Sequence, residues 1–450
     1  MASSDSSKQI LALNAFDQRR AGDLDPVLAQ RVRRRQKLFG SASVLFYDRP
    51  LEFVRGSGCW LYDTDGVAYL DAYNNVPSVG HCHPRVVAAA AKQLGELNVH
   101  SRYLHSGVMD YAERLLGTLP AALSNITFTC TGSESNDLAL RLAARFTGAE
   151  GIIVTETAYH GNTQLTGEAS PSSLQPGSIA PRVRLVPAPD SYRVPAGQLS
   201  EYLAKAVQEA VLDLKGRGIG IAALLIDSIF SSDGVFADPA GFLLPAVEIV
   251  QRAGGLFIAD EVQCGFARTG SSLWGFERHG LLPDIVTMGK PMGNGYPIGA
   301  VVTRPEILDS LREREGYFNT YGGTAGAAAI GNAVLDVIEQ EELMANSQRL
   351  GEYLRQSLRE LAGRHPRIGD VRGAGLFIGV ELVDPRDPLQ PWRAASAIIN
   401  AMRERRVLIG AAGRWGNVLK IRPPLCFSNA QADQLVSALD DALDATPWPP

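Results

Sequence analysis

Lys290 stands thirty residues after Asp260, and each closes a short apolar run: Leu256-Phe257-Ile258-Ala259 before the acid, Ile285-Val286-Thr287-Met288-Gly289 before the lysine. Both runs read as buried strands that deliver a charged residue at their carboxyl ends, where open α/β sheets place their ligands. A carboxylate there can hold a metal or a cationic heterocycle. A Mg²⁺ role would require a GxxxxGK[ST] loop, which the chain lacks, and Gly293-Asn294-Gly295 with Gly299 is misspaced for the dinucleotide fingerprint. A solvated lysine is the ordinary state of this residue type. Lys290, hemmed by Gly289, Pro291 and Gly293, has instead the surroundings that lower an amine pKa and favour Schiff-base chemistry. A third feature is Phe128-Thr129-Cys130-Thr131-Gly132-Ser133-Glu134, where a strand ends as a helix begins. Unpaired N–H groups at Gly132 and Ser133 would suit a phosphate, and an ordinary cap made by Thr131 or Ser133 is the alternative. Phosphate cradle, strand-end acid and strand-end lysine together are what a pyridoxal phosphate site requires.

The elements that must position these residues alternate. From about Tyr73 to about Tyr321, strands are expected over Ile126–Thr131, Gly151–Thr155, Val183–Val186, Ile221–Asp227, Leu256–Ala259, Ile285–Met288 and Ile298–Val302. Helices are expected over Glu134–Phe146, Ser200–Leu214 and Phe242–Ala253. This rhythm predicts an α/β fold whose mainly parallel sheet is covered by helices on both faces. Beyond Gly326 the pattern becomes a smaller α+β unit with a strand pair around Leu376 to Leu382. The segment before Leu70 carries a hairpin signal at Asp65-Gly66. We therefore expect an N-terminal segment 1–70 packing with the small domain, a large cofactor-binding domain 71–330 and a small domain 331–450.

Composition narrows the class. The 450 residues carry a net charge of -5, without the positive excess a nucleic-acid binder needs. Five scattered cysteines without a CxxC pair argue against a disulfide framework or a thiolate metal site, and no metal is expected. MASSDSSKQI has neither a basic flank nor an apolar core, and no stretch approaches a membrane span, so a cytoplasmic protein is expected. Arg31, Arg33, Arg34, Arg35 and Lys37 follow Asp25-Pro26 and read as a solvated helix face or a subunit contact.

The sequence resembles the class III aminotransferase family of fold type I pyridoxal phosphate enzymes. The resemblance rests on Gly80-His81-Cys82-His83-Pro84, Thr131-Gly132-Ser133-Glu134-Ser135-Asn136, Tyr159-His160-Gly161, Asp260-Glu261-Val262-Gln263, Lys290 and Thr320-Tyr321-Gly322-Gly323. It implies pyridoxal 5′-phosphate as cofactor, Lys290 as the Schiff-base lysine and Asp260 as the carboxylate facing the pyridine nitrogen. It further implies Gly132 and Ser133 at the phosphate, Tyr159 and Val262 on the two ring faces, and Gln263 near the ring hydroxyl. Thr320 would reach the phosphate of a neighbouring subunit, which implies a homodimer with its active site at the interface, or a tetramer built from it. His81, Cys82 and His83 would belong to a turn entering a helix.

Family members that grip α-carboxylates usually carry an arginine where this chain has Lys420, in Asn417-Val418-Leu419-Lys420-Ile421-Arg422-Pro423-Pro424-Leu425. On a strand, Lys420 and Arg422 would share one face, and a compact ammonium suits phosphate. The alternative is an edge strand blunted by charge. The stretches Tyr73-Asn74-Asn75-Val76, Ser101-Arg102-Tyr103-Leu104-His105 and Asn417 to Phe427 are similar to the ethanolamine-phosphate and phosphohydroxylysine phospho-lyase branch. The resemblance implies elimination of phosphate and ammonia from a small phosphorylated amine, with Lys420, Arg422, Arg102 and Asn75 as substrate-binding residues. Other readings are an ω-amine or ω-amino acid transaminase and a non-catalytic binding protein on the same fold.

Overall fold

The computed structural model describes residues 13–175, 177–312, 315–392 and 395–447. Its centre is a seven-stranded sheet in the order Asn125–Thr129, Gly299–Thr303, Ile285–Met288, Leu256–Asp260, Ile221–Ile226, Gly151–Thr155 and Val183–Val186. The last five strands pair in parallel, while Gly299–Thr303 runs antiparallel to both its neighbours. Alternate residues enter two separate cores. Ile153, Leu224, Phe257 and Val286 pack towards the helices Leu199–Gly216 and Leu244–Arg252, whereas Ile152, Leu225, Ile258 and Ile285 pack against Gly132–Thr147. With both faces covered, the central strands read as continuous apolar runs, as the sequence predicts for an α/β fold.

The first helix after the edge strand begins at Gly132, earlier than expected, and the strand ends at Thr129 instead of Thr131. The reason is local. Thr131 caps the helix by accepting from Glu134 N at 3.1 Å, and the Glu134 carboxylate accepts from Cys130 N at 2.8 Å. Capping by Thr131 leaves Ser133 free of that task.

Two smaller sheets flank the seven-stranded one. Phe53–Ser57, Trp60–Asp63, Ala68–Asp71 and Val407–Leu408 form the first, with the expected hairpin turning at Gly66, φ +79°. In the second, Val418–Ile421 lies between Phe377–Asp384 and Gly410–Ala412. The strand of Lys420 is therefore paired on both sides, and the edge-strand alternative falls. The basic cluster lies on the helix Pro26–Phe39, where Arg31 pairs with Glu52 and Arg35 donates to the Ser43 carbonyl at 2.9 Å. Among the described residues no helix is long and apolar enough to cross a membrane.

Candidate active site

At the carboxyl ends of the parallel strands a cavity of about 360 Å³ is lined by Gly132, Ser133, Tyr159, Asp260, Val262, Gln263 and Lys290. Seven of the residues singled out from sequence thus meet in one place. The strand Leu256–Asp260 ends in Asp260, buried to 4 % exposure. Its Oδ2 accepts from Asn136 Nδ2 at 2.9 Å and lies 2.7 Å from His160 Nδ1, and its Oδ1 accepts from Val262 N at 3.0 Å. Burial alone would push this carboxyl up, but the hydrogen bond and charge of His160, the Val262 N–H and Lys290 hold it below its ordinary value. Thr287 fixes the amide of Asn136 by donating to its Oδ1 at 2.6 Å.

Lys290 is partly buried, and its backbone adopts φ +24°, an uncommon conformation for a residue with a side chain. Withdrawal from water and the charge of Arg422 push its amine down to about 8, against the opposing pull of Asp260 and Asp227. Gly132 touches the far wall, since a Cβ there would sit 2.8 Å from both methyls of Val262. Gly161, φ +141°, keeps a similar space beside Ser133, whose Oγ accepts from Asn162 N at 3.3 Å.

Gln263 belongs to a buried chain of hydrogen bonds. Arg422 Nη1 donates to Gln263 Oε1 and, at 3.0 Å, to Asn75 Oδ1, while Gln263 Nε2 donates to Ser231 Oγ at 2.6 Å. Ser231 in turn donates to Asp227, which follows the strand Ile221–Ile226 and also lines the cavity. Burial and the neighbouring Asp260 push the Asp227 carboxyl up. Sequence reasoning left Asp227 as a strand end, although an acid at the carboxyl end of a parallel strand is the same signal that marked Asp260. His160 and Asn136 likewise stood only as motif letters.

The substrate-side residues divide. Arg422 is committed to Asn75 and Gln263, whereas the Lys420 ammonium has no hydrogen-bond or ion-pair partner among the described residues. Burial, then Arg422 and Lys290, drive the Lys420 amine well below its ordinary value, while Asp227 and Asp233 oppose this. Lys420, Arg422 and Asn75 are not among the residues lining the cavity, and neither are the exposed Arg102 and Thr320; Arg102 covers the Phe318 ring at 3.9 Å. His81 and His83 face Asp71 at 2.7 Å and Glu341 at 3.0 Å, and Pro84 opens the helix that follows, so the pair sits in a turn entering a helix.

The cavity suits pyridoxal phosphate in three ways. A helix N-terminus with close-packed glycine would suit the phosphate, a buried carboxylate held below its ordinary value would suit a cationic ring nitrogen, and a lysine amine of lowered basicity lines the same cavity. The model for aminotransferase class III matches residues 47–443. Over 428 residues the chain is 41 % identical to an alanine–glyoxylate aminotransferase 2-like protein of Drosophila melanogaster, covering 92 % of this chain and 87 % of that one. Over 433 residues it is 40 % identical to ethanolamine-phosphate phospho-lyase homolog 1 of Caenorhabditis elegans, covering 92 % of each. A solved phospholyase from Arthrobacter, in complex with phosphoethanolamine, superposes with a TM-score of 0.89 at 43 % identity over 93 % of this chain and 100 % of that one. A match over most of the chain, with this fold and this cavity, places the protein in the class III aminotransferase family, whose enzymes work with pyridoxal 5′-phosphate.

Proposed function

We propose that this enzyme is a phospho-lyase, which eliminates phosphate from a small phosphorylated amine such as O-phosphoethanolamine to give an aldehyde and ammonia. The observation that carries the reading is Lys420, partly buried near Arg422 and Lys290, whose amine has no hydrogen-bond or ion-pair partner among the described residues. A cation partly withdrawn from water without a counter-ion is matched by an anionic ligand. The phospholyase of similar fold, solved with phosphoethanolamine, supports it.

The bound cofactor supplies an electron sink for the carbon that bears the substrate nitrogen. Gly132 and Ser133 would bind its phosphate, Tyr159 and Val262 enclose its ring, and Asp260, kept ionised by His160 and Asn136, would hold a proton on its ring nitrogen. Lys290 would carry the cofactor at rest and then act as base, its Nζ taking the proton from the carbon bearing nitrogen; an amine pushed down to about 8 is suited to that exchange near neutral pH. Lys420 orients the phosphate and favours its departure with the C–O electron pair. Arg422 and Asn75 position Gln263. Water then converts the released enamine to aldehyde and ammonia. A second copy of this chain would complete the site with Thr320, and Arg102 with the exposed Tyr103, Phe318 and Tyr321 would face that copy.

Incubation of the holoenzyme with phosphoethanolamine, without any keto acid, tests the reading. Inorganic phosphate and aldehyde in many-fold excess over enzyme are expected. The similarity to alanine–glyoxylate aminotransferase 2 proteins sustains one other reading, amino transfer, in which a single equivalent of amine exhausts the cofactor and no phosphate appears.

A further inference from the structure

Cys59 and Cys426 are 367 positions apart in the chain, yet their sulfurs lie 3.5 Å from each other. Cys59 is buried at the turn between the strands Phe53–Ser57 and Trp60–Asp63, and Cys426 follows the segment that leaves the Lys420 strand. Backbone bonds fix both: Asp71 N donates to Cys59 O at 2.8 Å, and Leu425 N donates to Ser78 O at 2.7 Å. Asn346 secures the second segment by donating to Leu425 O at 2.7 Å and Phe427 O at 3.0 Å. Gly80, φ +107°, keeps the space open, because a Cβ there would lie 3.0 Å from Cys426 Sγ. Closing to a disulfide requires the sulfurs to approach by about 1.5 Å.

We propose that Cys59 and Cys426 form a reversible disulfide on exposure to hydrogen peroxide, fastening the segment behind Lys420 to the N-terminal sheet. Cys426 is the less buried of the two, and a hydrogen bond from Cys59 together with Arg268 favours its thiolate. Cys59, whose thiol proton is retained by that bond and by burial, is the resolving partner. The Cys426 thiolate attacks one peroxide oxygen, forming an S–O bond as the O–O bond breaks and hydroxide departs. Cys59 then gives up its proton and attacks Cys426 Sγ, forming the S–S bond and expelling water. Two thiols and one peroxide yield one disulfide and two waters, with two electrons passing from the sulfurs to the peroxide.

The test is a non-reducing peptide map of the cofactor-loaded enzyme after limiting peroxide. A linked Cys59–Cys426 peptide is expected, lost on treatment with dithiothreitol, absent from Cys59→Ser and from Cys426→Ser, and retained in Cys82→Ser, which removes an exposed thiol elsewhere. The oxidised enzyme is also expected to inactivate more slowly on heating than the reduced one. Sulfinic acid at Cys426 with no cross-link, a cross-link between other cysteines, or equal inactivation rates would overturn the proposal.

Discussion

His160 Nδ1 lies 2.7 Å from Asp260 Oδ2, while the other ring nitrogen of His160 is buried with no partner among the described residues. The imidazole therefore serves the carboxylate alone. Withdrawal from water opposes the charge on Asp260, and His160 is the largest influence that restores it.

His160→Phe removes that support while keeping the ring volume. A carboxyl held below its ordinary value keeps its charge until pH falls through its folded value, so raising that value moves the loss of charge to higher pH. The acid limb of kcat is expected to shift upward, and kcat at neutral pH to fall by a factor corresponding to about 1.5–3 kcal/mol for a charged hydrogen bond. A kcat profile superimposable on that of the parent enzyme would remove His160 from this role.

Lys290→Ala is expected to fold and to retain cofactor only non-covalently, with turnover reduced to background, because both the covalent anchor and the proton-moving amine are gone. Borohydride reduction of the parent followed by peptide mapping should place the label on Lys290. Label on any other lysine contradicts the assignment.

Gly132→Ala probes the cradle through packing alone. The added Cβ would meet both Val262 methyls at 2.8 Å, so either the helix start or Val262 must shift. Overpacking of this kind costs about 1–3 kcal/mol. Cofactor retention on dialysis should weaken, while the melting temperature of the cofactor-free protein moves less than that of the loaded form.

Asp260, Lys290 and Gly132 were legible in the sequence because strand-then-turn is a local pattern. The residues that tune them were not, because their partners are remote: His160 reaches Asp260 across 100 positions, and Arg422 reaches Asn75 across 347. A remote partner likewise hid one side of Val418–Ile421, which pairs with Phe377–Asp384, whereas its other neighbour, Gly410–Ala412, precedes it by a few residues. Strand periodicity put Lys420 and Arg422 on one side. It could not show that Arg422, one residue past the strand, spends its guanidinium on Asn75 and Gln263, while Lys420 has no hydrogen-bond or ion-pair partner among the described residues. The expected strand end at Thr131 failed for a different reason, since Thr131 supplies the helix cap.

Lys420 separates lyase from transaminase through both substitution and pH. A lysine driven well below its ordinary value is charged only while pH stays under that lowered value, and it loses its proton as pH rises through it. If this ammonium binds the substrate phosphate, KM for phosphoethanolamine rises along the alkaline limb while KM for an unphosphorylated amine does not. Lys420→Ala should raise KM for the phosphorylated substrate by a factor corresponding to about 1.5–3 kcal/mol, the value of a charge-assisted hydrogen bond, at pH values where the parent's Lys420 is charged, and the difference should close as pH rises through the lowered value. Lys420→Arg places a cation there that stays protonated, so its alkaline limb should flatten even if the larger fork lowers kcat. Measuring KM against pH for the three proteins with both amines decides the matter. Equal effects of Lys420→Ala on the two substrates would make Lys420 a structural cation and return the enzyme to amino transfer.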